Sequence, residues 1–548
     1  MARRSGGQWA LGYREPLNGT ERMKRDDDGL NVRGRIVDQY SKQGFSAISV
    51  DDLRGRFRWW GLYTQRRAGA EGDAEQVEDE HFMMRVRIPG GRLTSDQLRV
   101  IGELSQRYGR DFADVTDRQN VQLHWIRIED VPAIWEALEE VGLNTVQACG
   151  DVPRNVIGCP LAGVDSRELI DGTHLIQEIQ RRFLDTPEFS NLPRKYKTSI
   201  SGCTDHCAQH ELNDISFVGV DFDGRVGYDL WVGGGLGPAP RLARRLGAFV
   251  PPERVLEVWV GVTSLFRDHG YRLRRNYARM KFLLDDWGAE RFREVLEREY
   301  LSAPLEDGPA APPSPAAQRD HVGVFEQADG RLYVGAAPRA GRTAGSELTR
   351  VAELADVYGS GSVRLTTQQK IVILDVDPGR AEELVDALEA MDLQVRPSEF
   401  RRATMSCSGK EFCKIAVVET KNRADMLVRE LERRLPDMTE PIRIHMNGCP
   451  NSCVRVQLAD IGLLGALVPG ADGERVEGFQ VQIGGHLGPD PTLGRRVKGV
   501  RVPSAELDDY IEGLLRTFLD TRDDGEPFHA WAARAEDAWV QPQEVAAL

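Results

Sequence analysis

The stretch TDRQNVQL at residues 116–123 returns as TTQQKIVI at residues 366–373. The same offset of 250 residues aligns Glu103-Leu104 with Glu353-Leu354, Tyr108-Gly109 with Tyr358-Gly359, and ALEEVGL (137–143) with ALEAMDL (387–393). Farther along, GYDLWVGGGLG (227–237) aligns with GFQVQIGGHLG (478–488) at an offset of 251. Solenoid repeats run about 20–50 residues, so this period is a duplicated multi-element unit instead. Each copy reads helix, strand, helix: QLHWIRI (122–128) alternates as a strand does, and VPAIWEALEEVGL (131–143) is an amphipathic helix. The predicted fold is α+β, with duplicated antiparallel-sheet modules related by a pseudo-two-fold axis. Equivalent loops of the two copies then face a central cleft.

Between the copies, SAPLEDGPAAPPSPAAQ (302–318) is rich in Pro and Ala and reads as a linker. The chain has 548 residues, a hydrophobic fraction of 41% and a charged fraction of 28%, which are globular values. Its net charge of −14 argues against a general nucleic-acid or membrane coat. No apolar run is long enough to span a bilayer. The first 16 residues lack an apolar core, so no secretory leader is expected and the cytoplasm is the expected compartment.

Eight cysteines are too few for a disulfide scaffold. Four lie in the second copy, as Cys407-x5-Cys413 and Cys449-x3-Cys453. Four thiolates from two loops can close around an iron–sulfur cluster or a zinc ion. Spacing alone leaves both open, although C-x5-C lies outside the usual zinc gap. In NGCPNSC (447–453), Pro450 suits the first turn of a helix, with Cys449 near its N-cap. The helix would put both sulfurs on one face and lend them positive potential. The first copy has SGCTDHC, with Cys203 and Cys207 and no evident C-x5-C companion, and reads as a metal-free vestige.

These cysteines, the duplication, and FMMRVRIPGG (82–91), TDRQNVQLH (116–124), RNV (154–156), PRKYK (193–197) and VGGGLG (232–237) resemble the sulfite and nitrite reductases that carry siroheme and a [4Fe–4S] cluster. The resemblance spans nearly the whole chain and is nearest to the actinobacterial type of ferredoxin-dependent sulfite reductase. It implies an N-terminal extension wrapping the core (1–80), a ferredoxin-like half-domain (81–147), and a siroheme-binding α/β domain (148–301). After the linker (302–322) come a second half-domain (323–397) and a [4Fe–4S]/siroheme-binding domain (398–548).

The resemblance further implies that Cys407, Cys413, Cys449 and Cys453 ligate the cluster, with Cys453 shared with the siroheme iron. Arg85, Arg154, Lys195 and Lys197 match anion-binding positions on the open face. Arg118, Gln122 and His124 match the cofactor-contacting stretch. Tyr63 and Cys159 match a pair that can join as a thioether. The implied reaction is six-electron reduction of sulfite to sulfide, with nitrite reduction to ammonia as the alternative. Since no flavin or nicotinamide domain is visible, electrons would come from reduced ferredoxin. PRLARRLG (240–247) and YRLRRNYARMK (271–281) are candidate basic docking segments, the second also a candidate cleft lining. No nucleic-acid or membrane partner is expected, and the chain is expected to be a monomer.

Overall fold

The computed structural model describes residues 17–315, 318–470 and 472–541. Residues 1–16, on which the reading of the N-terminus rests, and linker residues 316–317 lie outside the described residues.

Each copy opens with an antiparallel sheet. In the first, β1 (Leu62–Arg66), β2 (Glu78–Val86), β5 (Val121–Ile126) and β4 (Ala113–Val115) lie side by side. In the second, the same order is kept by β12 (Gly323–Glu326), β13 (Leu332–Ala336), β16 (Ile371–Val376) and β15 (Ser362–Leu365). The fifth strand of each sheet comes from the other copy. β14 (Arg342–Thr343) completes the first sheet beside β4, and β3 (Arg92–Thr94) completes the second beside β15. The alternation legible in residues 121–126 is the β5 ladder against β2 and β4.

The helices Ser95–Tyr108 and Gly345–Tyr358 cover these sheets and cross each other. Thr94 caps the first, accepting from the Gln97 N–H at 3.2 Å while the Gln97 side chain accepts from the Thr94 N–H at 3.1 Å. The second begins with Glu347 accepting from the Ala344 N–H at 3.0 Å. Leu98 and Ile101 from one copy and Leu348 and Val351 from the other share a single hydrophobic core. Each such fully buried side chain contributes about 1.5–3 kcal/mol. The crossing leaves no room at Gly102, where a Cβ would sit 2.5 Å from the Gly345 carbonyl oxygen and 2.4 Å from Thr349 Oγ1.

The second sheet of each copy is mixed. β6 (Ile157–Gly158), β7 (Thr198–Ser201) and β8 (Ile215–Phe222) run parallel, and β9 (Arg225–Val232) and β10 (Arg244–Val250) continue antiparallel. β17 (Met405–Ser406), β18 (Ile444–Asn447) and β19 (Ile461–Pro469) repeat the parallel trio, followed by β20 (Arg475–Ile483) and β21 (Arg495–Pro503). Each of these sheets has its own hydrophobic core. The parallel trio matters for function, because its C-terminal strand ends deliver the cysteine loops.

The linker is fastened down. Glu306–Asp307 forms β11 beside β10, and Ser314 Oγ donates to Glu211 Oε1 at 2.6 Å. The segment before β1 wraps the first copy: Lys24 donates to the Leu192 carbonyl at 2.9 Å and pairs with Glu21 at 2.7 Å, and Trp59 Nε1 donates to the Ser190 carbonyl at 2.7 Å. Gly102→Ala is expected to force the two central helices apart at a cost of about 1–3 kcal/mol. Thermal unfolding checks this, and an unchanged midpoint would contradict the close crossing.

Candidate functional site

Cys407 directly follows β17, and Cys449 lies two residues past the end of β18. The two loops they open lie against each other. Cys407 Sγ accepts from the Gly448 N–H at 3.2 Å, and the Val417 N–H donates to the Gly448 carbonyl at 2.9 Å. A Cβ on Gly448 would lie 2.8 Å from the Ala416 Cβ and 3.5 Å from the Gly409 Cα. Gly409 itself has φ +61° and would strike Thr420 Oγ1 at 2.4 Å. Asn447 clamps the second loop, accepting from the Val454 N–H at 3.1 Å and donating to the Cys449 carbonyl at 3.3 Å.

No helix starts at Pro450, contrary to the sequence expectation. Residues 450–454 form turns, and Ser452 (φ 53°) and Arg455 (φ 61°) occupy the left-handed region, which a helix cannot accommodate. The four sulfurs therefore converge through two close-packed loops and not along one helix face. Cys413 is pushed up to about 12 by burial and by the charge of Cys407. Burial also raises Cys449 and Cys453, and the charge of Cys407 adds to both, against a backbone hydrogen bond from Asn451 at Cys449. Four thiolates here need a cationic centre among them. Among the described residues, the trio whose ligand atoms lie within 4.8 Å of one another is Cys159, Cys203 and Cys207, not these cysteines. A single zinc holds its sulfurs about 3.8 Å apart, from bonds of about 2.3 Å at tetrahedral angles. The wider quartet fits a cluster, in which each thiolate takes a different iron.

Cys453 is the exposed one of the four, and its thiol is raised by the surrounding protein first and by Cys407 and Cys449 next. A thiolate at Cys453 would favour the charged forms of Arg85 and Lys195, so the three stand within electrostatic reach of one another. Backbone pairing of residues 152–154 with 196 brings Arg154 beside the PRKYK segment: the Arg154 N–H donates to the Tyr196 carbonyl at 2.7 Å. Tyr196 is fully buried, so Lys195 and Lys197 both face away from it. Arg85 and Arg154 each donate to the Ala148 carbonyl at 3.4 Å, and Arg118 donates to Asn213 Oδ1 at 3.0 Å and the Asn155 carbonyl at 2.6 Å. Burial and neighbouring cations lower Arg85 to about 10 and Lys195 to about 8. Lys197 is held well below its ordinary value by burial, then by Arg118 and Lys195. The Nε atoms of Arg85, Arg118 and Arg455 are buried without a partner. A bound polyanion relieves this mutual repulsion, so the residues fit a carboxylate-rich cofactor and a small oxyanion.

Gln122 and His124 share a face of β5, as the alternation predicts, and both meet the Cys407–Cys413 loop. Gln122 Oε1 accepts from Ser408 Oγ at 3.2 Å, and the His124 ring stacks on Phe412 at 3.9 Å between centroids. His124 Nε2 lies 2.9 Å from Asp114 Oδ2, and Arg342 joins Asp114 at 2.8 Å to Glu411 at 2.9 Å. Burial alone would raise the Asp114 carboxyl, but Arg342 and Lys421 hold it well below the usual range. Asp114, Arg342 and Lys421 thus brace the loop that carries Cys407 and Cys413. They are invisible to motif reading because they come from three distant segments.

Tyr63 and Cys159 have different neighbours. The Tyr63 ring lies 5.8 Å from the Arg85 guanidinium, whereas Cys159 Sγ lies 4.0 Å from Cys203 Sγ. The thiol nearer in sequence to the Arg85 and Arg154 contacts is Cys149, which is buried next to Ala148. Of the two basic segments, 271–281 is turned inward: Arg275 pairs with Asp151 at 2.8 Å, Arg279 with Asp214 at 2.9 Å, and Lys281 donates to the Gly235 carbonyl at 3.0 Å. In 240–247, Arg241 and Arg244 stay half-exposed beside Asp285.

The nitrite and sulphite reductase 4Fe-4S domain matches residues 149–305 and 398–535, and the nitrite/sulfite reductase ferredoxin-like half domain matches 75–141 and 325–391. The chain is 52% identical over 546 residues to a sulfite reductase [ferredoxin] of Mycobacterium tuberculosis, covering 97% of this chain and 98% of that one. It is 37% identical over 550 residues to an assimilatory ferredoxin-dependent nitrite reductase of Haloferax mediterranei, covering 94% and 92%. The solved structure of the Mycobacterium tuberculosis NirA protein superposes with a TM-score of 0.95 at 52% identity, covering 98% of this chain and 100% of that one.

Gly448→Ala places a methyl group in the contact between the two cysteine loops. It is expected to lower the iron content per chain while far-UV circular dichroism stays unchanged; full iron occupancy would contradict the required closeness of the loops.

Proposed function

Because the chain belongs to the nitrite and sulfite reductase family, we propose that it is a ferredoxin-dependent sulfite reductase, reducing sulfite to sulfide with six electrons. The observation that carries the reading is the gathering of Arg85, Arg154 and the Lys195–Lys197 segment, through the Ala148 and Tyr196 carbonyls, within electrostatic reach of Cys453. The cysteines supply thiolates for an electron-delivering cluster and the cations supply partners for an oxyanion. Full-length similarity at 52% to a sulfite reductase, against 37% to a nitrite reductase, favours sulfite.

Cys407, Cys413, Cys449 and Cys453 are the ligands assigned to the [4Fe–4S] cluster, with Cys453 shared with siroheme. When bound, the cluster and siroheme would supply the electrons and the iron at which the anion is reduced. The protein's own contribution is to hold and protonate the anion. Arg118 balances cofactor carboxylates, while Arg85, Arg154, Lys195 and Lys197 hold the substrate. Lys195, lowered by burial and by Arg279, Arg154 and Arg194, is the residue best poised to give up a proton as oxygens leave as water. Tyr63 is placed to orient Arg85 through its ring face. We also assign reduced ferredoxin as the donor, with the half-exposed Arg241 and Arg244 at its docking face, and a monomer in the cytoplasm. No helix of the described residues is long and apolar enough to cross a membrane.

The test is kcat/KM for sulfite and for nitrite with reduced ferredoxin. Sulfite is expected to be preferred, and a clear preference for nitrite would make the enzyme a nitrite reductase. Lys195→Gln is expected to lower kcat/KM by about one to two powers of ten, the value of a charge-assisted hydrogen bond of about 1.5–3 kcal/mol. The Lys195 ammonium is lost as pH rises through about 8 in the free chain, and bound anions move that loss upward. Activity is therefore expected to fall on an alkaline limb at or above that pH. Lys195→Arg, whose charge persists, should shift the limb upward; an identical pH profile would remove Lys195 from this role.

A further inference from the structure

The first copy holds more of a cysteine site than its sequence suggests. β6, β7 and β8 are the counterparts of β17, β18 and β19, in the same parallel order. Cys159 follows β6 as Cys407 follows β17, while Cys203 and Cys207 follow β7 as Cys449 and Cys453 follow β18. The companion missing from the C-x5-C reading is thus Cys159. The counterpart of Cys413 is Asp165, which has the same spacing from Cys159 and is engaged by Arg319 at 2.6 Å. The fourth cluster ligand is gone.

What remains has a different geometry from the second copy. All three sulfurs are buried and lie within 4.8 Å of one another, with Cys159 and Cys203 at 4.0 Å. That is close to the sulfur spacing of about 3.8 Å around one tetrahedral zinc, and too tight for thiolates that each bind a separate iron. An odd number of thiols also leaves one unpaired in any disulfide. Among the described residues no fourth ligand atom lies within 4.8 Å of all three sulfurs, but an unpartnered histidine packs beyond them on Tyr333. His321 is buried with both ring nitrogens unpartnered, which is costly unless something binds one of them. Its ring contacts Tyr333 at 6.4 Å, and Tyr333 packs in the same cluster as Cys159, Cys203 and Cys207. The charge of Cys203 acts on the His321 ring.

We propose that Cys159, Cys203 and Cys207 bind one structural Zn2+ ion, and that His321, whose ring nitrogens stand outside the 4.8 Å group, moves in to close the site as the fourth ligand. Three soft thiolates and an imidazole select zinc, and four protein ligands in a buried setting leave no open position for catalysis. The ion pins the segment entering the second copy, through His321, onto the strand ends of the first. Thr367 Oγ1, donating to the Cys207 carbonyl at 2.8 Å, adds a second tie between the copies there. The inference is independent of which anion the enzyme reduces.

Metal analysis of the purified holoenzyme tests it, with siroheme absorption and iron content as internal standards. About one zinc per chain is expected, and Zn-edge X-ray absorption should give three sulfurs at about 2.3 Å and one nitrogen at about 2.0–2.1 Å. Cys203→Ser should lose zinc while iron and the absorption spectrum persist, and His321→Gln should remove the nitrogen shell. Protein with full iron and siroheme but little zinc overturns the site, as does a Cys159–Cys203 disulfide in a peptide map. Iron in place of zinc overturns the choice of metal, and a nitrogen shell surviving His321→Gln overturns the fourth ligand. These wild-type measurements decide the matter even if a variant fails to fold.

Discussion

Two glutamine side chains hold the halves of this protein in register. Gln119 Nε2 donates to the Leu365 carbonyl at 2.9 Å, and Gln369 Nε2 donates to the Val115 carbonyl at 3.1 Å. They occupy equivalent positions in the repeated turn and reach in opposite directions across the pseudo-two-fold axis. Each also touches the mixed sheet of its own copy: Gln119 donates to the Gly158 carbonyl at 3.1 Å, and Gln369 to the Ser406 carbonyl at 3.1 Å. The next residues are Cys159 and Cys407. One buried carboxamide therefore fixes both the relation between copies and the starting point of a cysteine loop. Its loss would take a donor from two carbonyls, each at a cost of about 1–3 kcal/mol where no other partner replaces it.

On this common frame the copies have specialised by charge. The first contributes Arg85, Arg118, Arg154, Lys195 and Lys197, and the second contributes Cys407, Cys413, Cys449 and Cys453. Asp151 and Asp214 neutralise the neighbouring Arg275 and Arg279, while Arg85, Arg118, Arg154, Lys195 and Lys197 form no ion pair among the described residues. A symmetric pair of identical loops would have offered either thiols facing thiols or cations facing cations. Duplication within one chain removed that constraint.

Much of this was legible in the residues. An ungapped repeat reports the duplication directly, and period-two alternation reports β5. The four cysteines and the cationic positions stand in motifs whose spacing survives folding. Other features were hidden. Pro450 is a fair helix signal, but the left-handed Ser452 and Arg455 carry the chain through turns instead. That Cys159 lies 4.0 Å from Cys203 depends on strand order, which no local pattern encodes. The Asp114–Arg342–Lys421 brace joins segments separated by hundreds of residues. The 271–281 segment shows the same limit: its positive charge is plain in the sequence, but its inward direction depends on Asp151 and Asp214.

The exchanged edge strands have a consequence during synthesis. β4 waits for β14, and the Arg342–Asp114 bond that seals them spans 228 residues. At a ribosomal pace of about 5–20 residues per second, the first sheet spends roughly ten to forty-five seconds with an unpaired edge. An open edge is a template for unwanted pairing with another nascent chain. β14 is only two residues long, so the edge it covers is correspondingly short. Brevity of the exchanged strand keeps the exposed template small throughout that interval, and lets one polypeptide complete its own sheet before a neighbour does.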